Sequence, residues 1–191
     1  MKRALLGALM ITLLLAGCGG GAALEEQLEA RRDAYAAAET LSFTAELTAD
    51  LGTEIFPCTL ACTATAEETR VEVIEPSIVA GVTASLRAGE TELRYDGLQL
   101  SFGAADAAAG SPMAFAPLLT KALRSGHIVR AWRERETGGD TPRVAAEIYV
   151  DDARQLTVWY AADTLTPQAA LLSSGGVEAV RCTLRDFTAA Q

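Results

Sequence analysis

The sequence predicts an α+β fold, a curved, unclosed antiparallel β half-barrel of about ten strands with one long N-terminal helix and a short helical insert. The first observation is a strict alternation of apolar and polar residues from Leu41 to Leu51. That period of two is typical of a strand with one buried face. The second is a series of further short, strand-like segments that continues to the end of the chain. Turn residues separate these segments from one another. A sheet of this size curls or splits into two layers, and helices must cover its apolar face.

The N-terminal helix is predicted over residues 24–40. This segment is rich in alanine, glutamate and leucine, which are good helix formers. A helical period places Leu24, Leu28, Ala34, Tyr35 and Ala38 near one face, which we expect to pack on the sheet.

The other strands are separated by turns rich in glycine, proline and aspartate. Among these, Asp96-Gly97 lies between two apolar runs and predicts a tight hairpin. No repeat and no linker interrupts the series, so one domain is expected over 24–191. The strands are predicted near 54–66, 69–75, 82–88, 91–95, 98–102, 127–136, 142–150, 154–162, 168–173 and 177–187.

The helical insert is predicted between the strands at 98–102 and 127–136. It follows a loop of small residues, "GAADAAAGSP". Pro117 suits the first turn of a helix and Gly126 suits the position just past its end. The insert is therefore expected to be helical from residue 117 to residue 125.

The first seventeen residues have the character of a secretory signal peptide. Lys2 and Arg3 precede an apolar run from Ala4 to Leu15 that only Thr12 interrupts. Twelve helical residues rise about 18 Å, too little for a bilayer core of about 30 Å. Residues 1–17 are therefore excluded from the fold.

The end of this segment, Leu15-Ala16-Gly17-Cys18, resembles the lipobox of bacterial lipoproteins. The resemblance implies that Cys18 becomes the first residue of the mature chain and carries acyl chains. Residues 18–23 would then be the lipidated cysteine and a glycine-rich tether. The expected location is the extracytoplasmic face of the cell membrane, with lipid anchoring. An ordinary signal peptide with an incidental cysteine is the alternative.

The composition limits the possible partners. The formal charge is −9 and no basic cluster is present, so nucleic acid is not an expected partner. The acidic body also argues against wide contact with anionic lipid, which leaves attachment to the anchor. No second long apolar run follows the first one.

Three cysteines remain once Cys18 is assigned to the anchor. Cys58 and Cys62 lie four apart in a predicted strand, so their α-carbons would be about 13 Å apart, beyond the limit of about 7 Å for a disulfide. A zinc site with Cys182 and His127, a bridge from Cys182 to one of the pair, and buried free thiols remain the alternatives. Free thiols are preferred, and neither a metal nor a cofactor is expected.

No pattern in the sequence predicts an enzyme. His127 is the only histidine, so any serine or cysteine triad would have to include it. Asp151-Asp152 lies at a predicted hairpin turn, where aspartate is common. Trp132, Trp159 and Tyr160 lie on late strands, where packing is the commoner use of large rings and lining a ligand site is the alternative.

The order of the elements resembles the LolA/LolB-like family. The landmarks are the N-terminal helix, "EPSIVAGVTASLRAGETELRYDG", the inserted "SPMAFAPLLTKAL" and the closing "DTLTPQAALLSSGGVEAVRCTLRDF". The resemblance implies an unclosed barrel around an apolar cavity with a helical lid. It also implies carriers or acceptors of lipids and lipoproteins.

We therefore expect a non-catalytic envelope protein that holds a lipid, an acyl group or another apolar ligand. The alternation of residues 41–51 and the apolar insert after the small-residue loop predict the ligand-binding residues Phe43, Leu47, Met113, Phe115, Leu118 and Leu119. These groups could instead fill the cavity permanently. The alternative function is a sensor or assembly subunit that binds an envelope protein partner with the same fold.

Overall fold

The structure, a computed structural model, describes residues 19–50, 55–87, 90–102, 112–136 and 138–191. These residues form two helices and eleven strands. The helices are α1 (Gly19–Ala37) and α2 (Pro112–Ser125). The strands are β1 (Thr40–Asp50), β2 (Ile55–Ala64), β3 (Glu68–Glu75), β4 (Thr83–Arg87), β5 (Glu90–Tyr95), β6 (Leu98–Phe102), β7 (His127–Arg135), β8 (Pro142–Tyr149), β9 (Arg154–Ala161), β10 (Pro167–Ser174) and β11 (Val177–Ala190).

All eleven strands form one antiparallel sheet in the order β6-β5-β4-β3-β2-β1-β11-β10-β9-β8-β7. The sheet does not close, because β6 and β7 are its two edges and do not pair with each other. The first and last strands meet at its centre, where β1 pairs with both β2 and β11. The predicted unclosed antiparallel half-barrel with two helices is confirmed.

One face of the sheet, here called the concave face, carries the helices and the core. In β1 the alternation holds as predicted, with Leu41, Phe43, Ala45, Leu47 and Ala49 all buried on this face. The intervening residues point to the other, convex face. The period of two therefore separates core from surface along β1.

The two helices cover different parts of the concave face. α1 contacts β7 and α2, and α2 contacts β1, β2 and β3. Leu24, Leu28, Tyr35 and Ala38 are buried as predicted, but the prediction for Ala34 was wrong because this residue is exposed. Adjacent residues are about 100° apart around a helix, so Ala34 turns away from the face that Tyr35 occupies.

Both helices begin earlier than the sequence predicted. Gly19 to Gly21, expected to form a flexible tether, lie in the first turn of α1. α2 begins at Pro112, and Pro117 lies inside it rather than in its first turn. The additional turn of α2 buries Phe115 and Ala116, and this tertiary burial outweighs the local cost of an internal proline.

The turn between β5 and β6 is the predicted two-residue hairpin. Asp96 and Gly97 both have positive φ, at 48° and 79°. This backbone geometry follows the twist of the strands and favours aspartate followed by glycine. In the part of the chain that the structure describes, no helix is long and apolar enough to cross a membrane.

Candidate functional site

Helix α2 is attached to the concave face by apolar and polar contacts. Phe115, Leu119 and Leu123 are buried in the same core as the sheet. Thr120 and Thr69 of β3 form a buried hydroxyl–hydroxyl hydrogen bond of 3.4 Å. The Thr120 hydroxyl also lies 3.0 Å from the Pro117 carbonyl oxygen, to which it can donate. These contacts fix α2 in one position on β1–β3.

The six predicted ligand-binding residues fall into two groups. Phe43, Leu47, Phe115 and Leu119 belong to one continuous buried core, whereas Met113 and Leu118 lie partly exposed at its margin. Phe43 stacks on Phe187 with ring centroids 5.9 Å apart, and Tyr35 meets Phe187 edge-on at 5.4 Å. The four buried residues thus already have protein partners.

Arg124, which the sequence analysis did not single out, ties three elements together. Its guanidinium donates to the Ala38 carbonyl at 2.9 Å and the Ala64 carbonyl at 3.1 Å, with a longer bond of 3.4 Å to Ala36. Burial lowers the pKa of Arg124. The end of α1, the end of β2 and the end of α2 therefore meet at one cation. Its only sequence signal is a basic residue in the last turn of α2.

A groove of about 250 Å³ runs beside the exposed side of α2. One wall is a single helix face, because Leu118, Lys121, Ala122 and Ser125 follow the spacing of helical turns. The other wall is formed where β7 begins and β8 ends. The full lining is Leu118, Lys121, Ala122, Ser125, Gly126, His127, Tyr149 and Val150. Leu118 is thus the predicted site residue that faces an open space.

The concave face extends beyond the helices at the β5–β6 edge. Leu93 pairs with buried Ala84 on one side and with Leu100 on the other, so these side chains share the concave face. Tyr95 is 47% exposed, Leu98 71% and Leu100 59%. Leu93 is partly buried and packs on the core. An apolar surface therefore continues from the core to exposed side chains at this edge.

Three free thiols lie in the buried centre of the sheet. Cys58 and Cys182 flank Leu47 on either side in the strand register, so about 10 Å separates them, too far for a disulfide. Cys62 lies four residues further along β2, opposite Phe43. Burial raises the pKa of Cys58 to about 11 and, with the neighbouring thiols adding to it, that of Cys62 to about 12. Burial also raises the pKa of Cys182 to about 12. Such thiols are poor nucleophiles.

The two tryptophans lie on the convex face, where they contact one carboxylate. The indole nitrogens of Trp132 and Trp159 donate to Glu134 at 2.6 and 2.9 Å, and Arg143 donates to it at 2.8 Å. Arg143 also stacks over the Trp159 ring at 4.9 Å. Burial raises the pKa of Glu134, but the hydrogen bonds from Trp132, Arg143 and Trp159 outweigh it and the pKa is lowered. The rings therefore pack across strands and do not face the core, whereas Tyr160 is buried in it.

The residues considered for catalysis are not brought together. Asp151 accepts hydrogen bonds from the backbone of Ala153 and Arg154 and pairs with the Arg154 side chain, which is a turn-forming role. Within the described ranges, no group of three or more histidine, cysteine or acidic residues could hold a metal ion. His127 lies exposed beside the α2 groove.

The same architecture occurs in other solved structures. An uncharacterized conserved protein from Thermus thermophilus matches with a TM-score of 0.51 at 9% identity, over 87% of this chain and 88% of that one. The lipoprotein LppX from Mycobacterium tuberculosis matches with a TM-score of 0.49 at 14% identity, over 86% and 94%. A LolA superfamily protein from Nitrosomonas europaea matches with a TM-score of 0.45 at 8% identity, over 87% and 93%.

No protein-family model matches the sequence, and no curated protein matches it either. A protein whose name assigns it to the LolA superfamily is thus among the solved structures of similar shape. At these identities the similarity concerns the fold alone.

Proposed function

We propose that this protein is a membrane-anchored, extracytoplasmic, non-catalytic protein that binds a lipid, an acyl chain or another apolar ligand. One observation carries the proposal: in the described part of the chain, the apolar concave face extends beyond the two helices. Leu93 joins the core to Leu98, Leu100 and Tyr95, which stay exposed at the β5–β6 edge. Exposed apolar surface that is continuous with a core is typical of an interaction site.

An acyl chain laid along this edge would remove apolar surface from water on both partners. Each buried methylene contributes about 0.8 kcal/mol. Affinity should therefore rise steeply with chain length until the uncovered face is filled. The predicted residues Phe43, Leu47, Phe115 and Leu119 lie in the core with which this edge is continuous, and Met113 and Leu118 lie at the margin of that core.

The test is displacement of a fluorescent fatty acid from the protein beginning at residue 19, with a series of chain lengths. Leu100→Asp should weaken binding about tenfold or more, because a carboxylate in contact with an acyl chain loses water without gaining a partner. Ser101→Asp is the matched control, since Ser101 is exposed on the opposite face of the same strand. Leu119 is less suitable for this purpose because it is fully buried, and a charge there would unfold the domain.

Several results would contradict the proposal. The first is that no chain length competes with the fluorescent probe and that the purified protein also carries no lipid in its mass spectrum. The second is that the Leu100→Asp and Ser101→Asp variants bind equally well. Circular dichroism of each variant separates loss of the site from loss of the fold.

The anchor is a separate part of the proposal. Cys18 lies outside the described residues, and α1 begins at the residue that follows it. Cys18→Ser should abolish incorporation of a labelled fatty acid and leave an unprocessed or released protein. Cys58→Ser is the matched control and should keep the label, because Cys58 is buried in the sheet. Equal label in wild-type and Cys18→Ser proteins would contradict lipidation at this residue.

Binding of an envelope protein partner is the second candidate function. The observation that favours it is the convex-face cluster of Trp132, Trp159, Glu134 and Arg143 next to the edge strand β7, because tryptophan and arginine are enriched at the centres of interfaces. A photo-crosslinking amino acid at exposed Val129 of β7 would capture such a partner in cells. The same probe at Val177, in the β10–β11 turn region, is the control.

A further inference from the structure

The groove beside α2 is lined by two residue types that are rare in this chain, lysine and histidine. Lys121 is the only lysine apart from Lys2, and His127 is the only histidine of the chain. Both line the same groove of about 250 Å³. In a chain with a formal charge of −9, this places basic groups together with no acidic residue in the lining.

The groove combines an apolar floor with polar groups at its rim. Leu118, Ala122 and Val150 supply apolar lining, and Lys121 and Ser125 lie exposed on the same face of α2. The base is closely packed at Gly126, where a Cβ would overlap the Ile148 side chain and lie 2.5 Å from the Ala122 carbonyl oxygen. Glycine therefore lets the strand approach the helix and defines the groove.

The charged groups next to the groove are Arg32, which is ion-paired with Asp33, and Asp152, whose carboxylate is hydrogen-bonded to a neutral hydroxyl and keeps its charge. Arg32 of α1 donates to the Gly126 carbonyl at 3.4 Å from behind the groove. In the β8–β9 turn, the Asp152 carboxylate accepts a hydrogen bond from the Tyr149 hydroxyl at 2.9 Å. Lys121 has no ion-pair partner among the described residues, so its charge is available to a ligand.

We infer that this groove binds the carboxylate end of a single-chain anionic amphiphile such as a fatty acid. The inference rests on the proposed function, specifies its ligand class and adds a second site, because the groove lies at the β7–β8 edge of the sheet and the exposed apolar surface at the opposite, β5–β6 edge. Lys121 supplies the charge, His127 supplies a hydrogen-bond donor, and the first methylenes lie on Leu118, Ala122 and Val150, while the Ser125 hydroxyl already donates to the Lys121 carbonyl at 3.1 Å. At about 250 Å³ the groove lies below the roughly 300–1,000 Å³ of pockets that enclose drug-sized ligands, so it suits a carboxylate headgroup and the first methylenes of one chain.

The experiment uses the full chain in phosphatidylcholine vesicles and two photoactivatable probes. One probe is palmitic acid with a diazirine near the carboxylate, and the other is the corresponding alcohol. Labelled peptides are identified by mass spectrometry. The acid should label the peptides that contain residues 118–127 and 149–150 about tenfold more than the alcohol does, since a hydrogen bond to a charged group is worth a factor of this order.

Variants assign the preference to the groove. Lys121→Gln should remove the acid-over-alcohol preference, and Lys121→Arg should keep it. Ser125→Trp fills the groove from an exposed position and should abolish labelling by both probes there. Arg87→Gln, which removes an exposed cation on β4, is the matched control and should change nothing.

Equal labelling of the groove by acid and alcohol, or an unchanged preference in Lys121→Gln, would overturn the inference. If both probes label only the β5–β6 peptides, the proposed apolar site stands and the headgroup site is wrong. If neither probe labels the protein, both proposals fail. Labelling that survives Ser125→Trp would also overturn the inference.

Discussion

The two sides of the sheet differ in how their apolar residues are used. On the β8–β10 side, Val144, Leu156, Val158 and Ala170 are fully buried on the concave face. On the β5–β6 side, Leu100 occupies an equivalent inward position but is mostly exposed. The first side contributes to the stability of the domain, and the second leaves apolar surface exposed.

The difference lies in the covering layer and not in the strands. Both sides alternate apolar and polar residues and pair antiparallel, with one register shift between Pro167 and Ala169 on the β8–β10 side. The strand contacts of α2 are mainly with β1, β2 and β3, and Leu98 and Leu100 at the β5–β6 edge stay exposed. The same kind of pattern thus gives a core in one place and a candidate binding surface in the other.

The largest expected effect tests this comparison directly. Leu156→Ala should lower the free energy of unfolding by about 2–5 kcal/mol, because it leaves a cavity in a fully buried site. Leu100→Ala should change it by less than about 0.5 kcal/mol. Urea denaturation of both variants is the measurement. A cost at Leu100 close to that at Leu156 would mean that the β5–β6 edge is covered in solution.

Alkaline pH should destabilise the centre of the sheet. The pKa values of Cys58, Cys62 and Cys182 are raised to between about 11 and about 12 in the folded state, so the unfolded chain releases these protons first. Stability is therefore intact below pH 9 and falls between pH 9 and pH 12, by about 1.4 kcal/mol per thiol for each pH unit.

Urea midpoints at pH 8, 9 and 10 measure this slope. The variant with alanine at all three cysteines is the control and should show a shallower fall. A slope that is the same in both proteins would mean that the thiols ionise as readily when folded as when unfolded.

Replacing Arg124 should have a smaller effect on stability, and this effect should be concentrated at the helix ends that the side chain contacts. Arg124→Met should cost about 1–3 kcal/mol, because the Ala38 and Ala64 carbonyls lose a charged donor. Arg124→Lys should recover part of this loss. Hydrogen exchange should show faster opening near the ends of α1 and α2 in the methionine variant. Unchanged exchange there would contradict the role of Arg124 as the tie between these elements.

The smallest effect is expected on the convex face. Glu134→Gln should cost about 1 kcal/mol, since an amide NH₂ cannot accept from an indole N–H as a carboxylate oxygen does. Fatty-acid binding should stay unchanged, because this cluster faces away from the concave face. Thermal unfolding and probe displacement on the same variant test both statements. A loss of binding without a loss of stability would place the ligand on the convex face.

The sequence determined the strands and the class of fold because their signal is local. Alternation in β1, the Asp96-Gly97 hairpin and the turn residues each specify a backbone conformation within a few positions. The order of these elements then predicted an unclosed antiparallel sheet with two helices. The strand through Cys58 and Cys62 was likewise predicted from its immediate neighbours.

Only the tertiary structure decided where α2 begins, what Arg124 does and which apolar residues remain exposed. Pro117 indicated a helix start, but burial of Phe115 and Ala116 extends α2 back to Pro112. The α2 groove joins Leu118 and Lys121 to Tyr149 and Val150, which lie far away in the chain. Contacts of this kind depend on where a helix lies on the sheet. The position of the helix is set by the total burial of many residues that are distant in the chain, so no short sequence pattern encodes it.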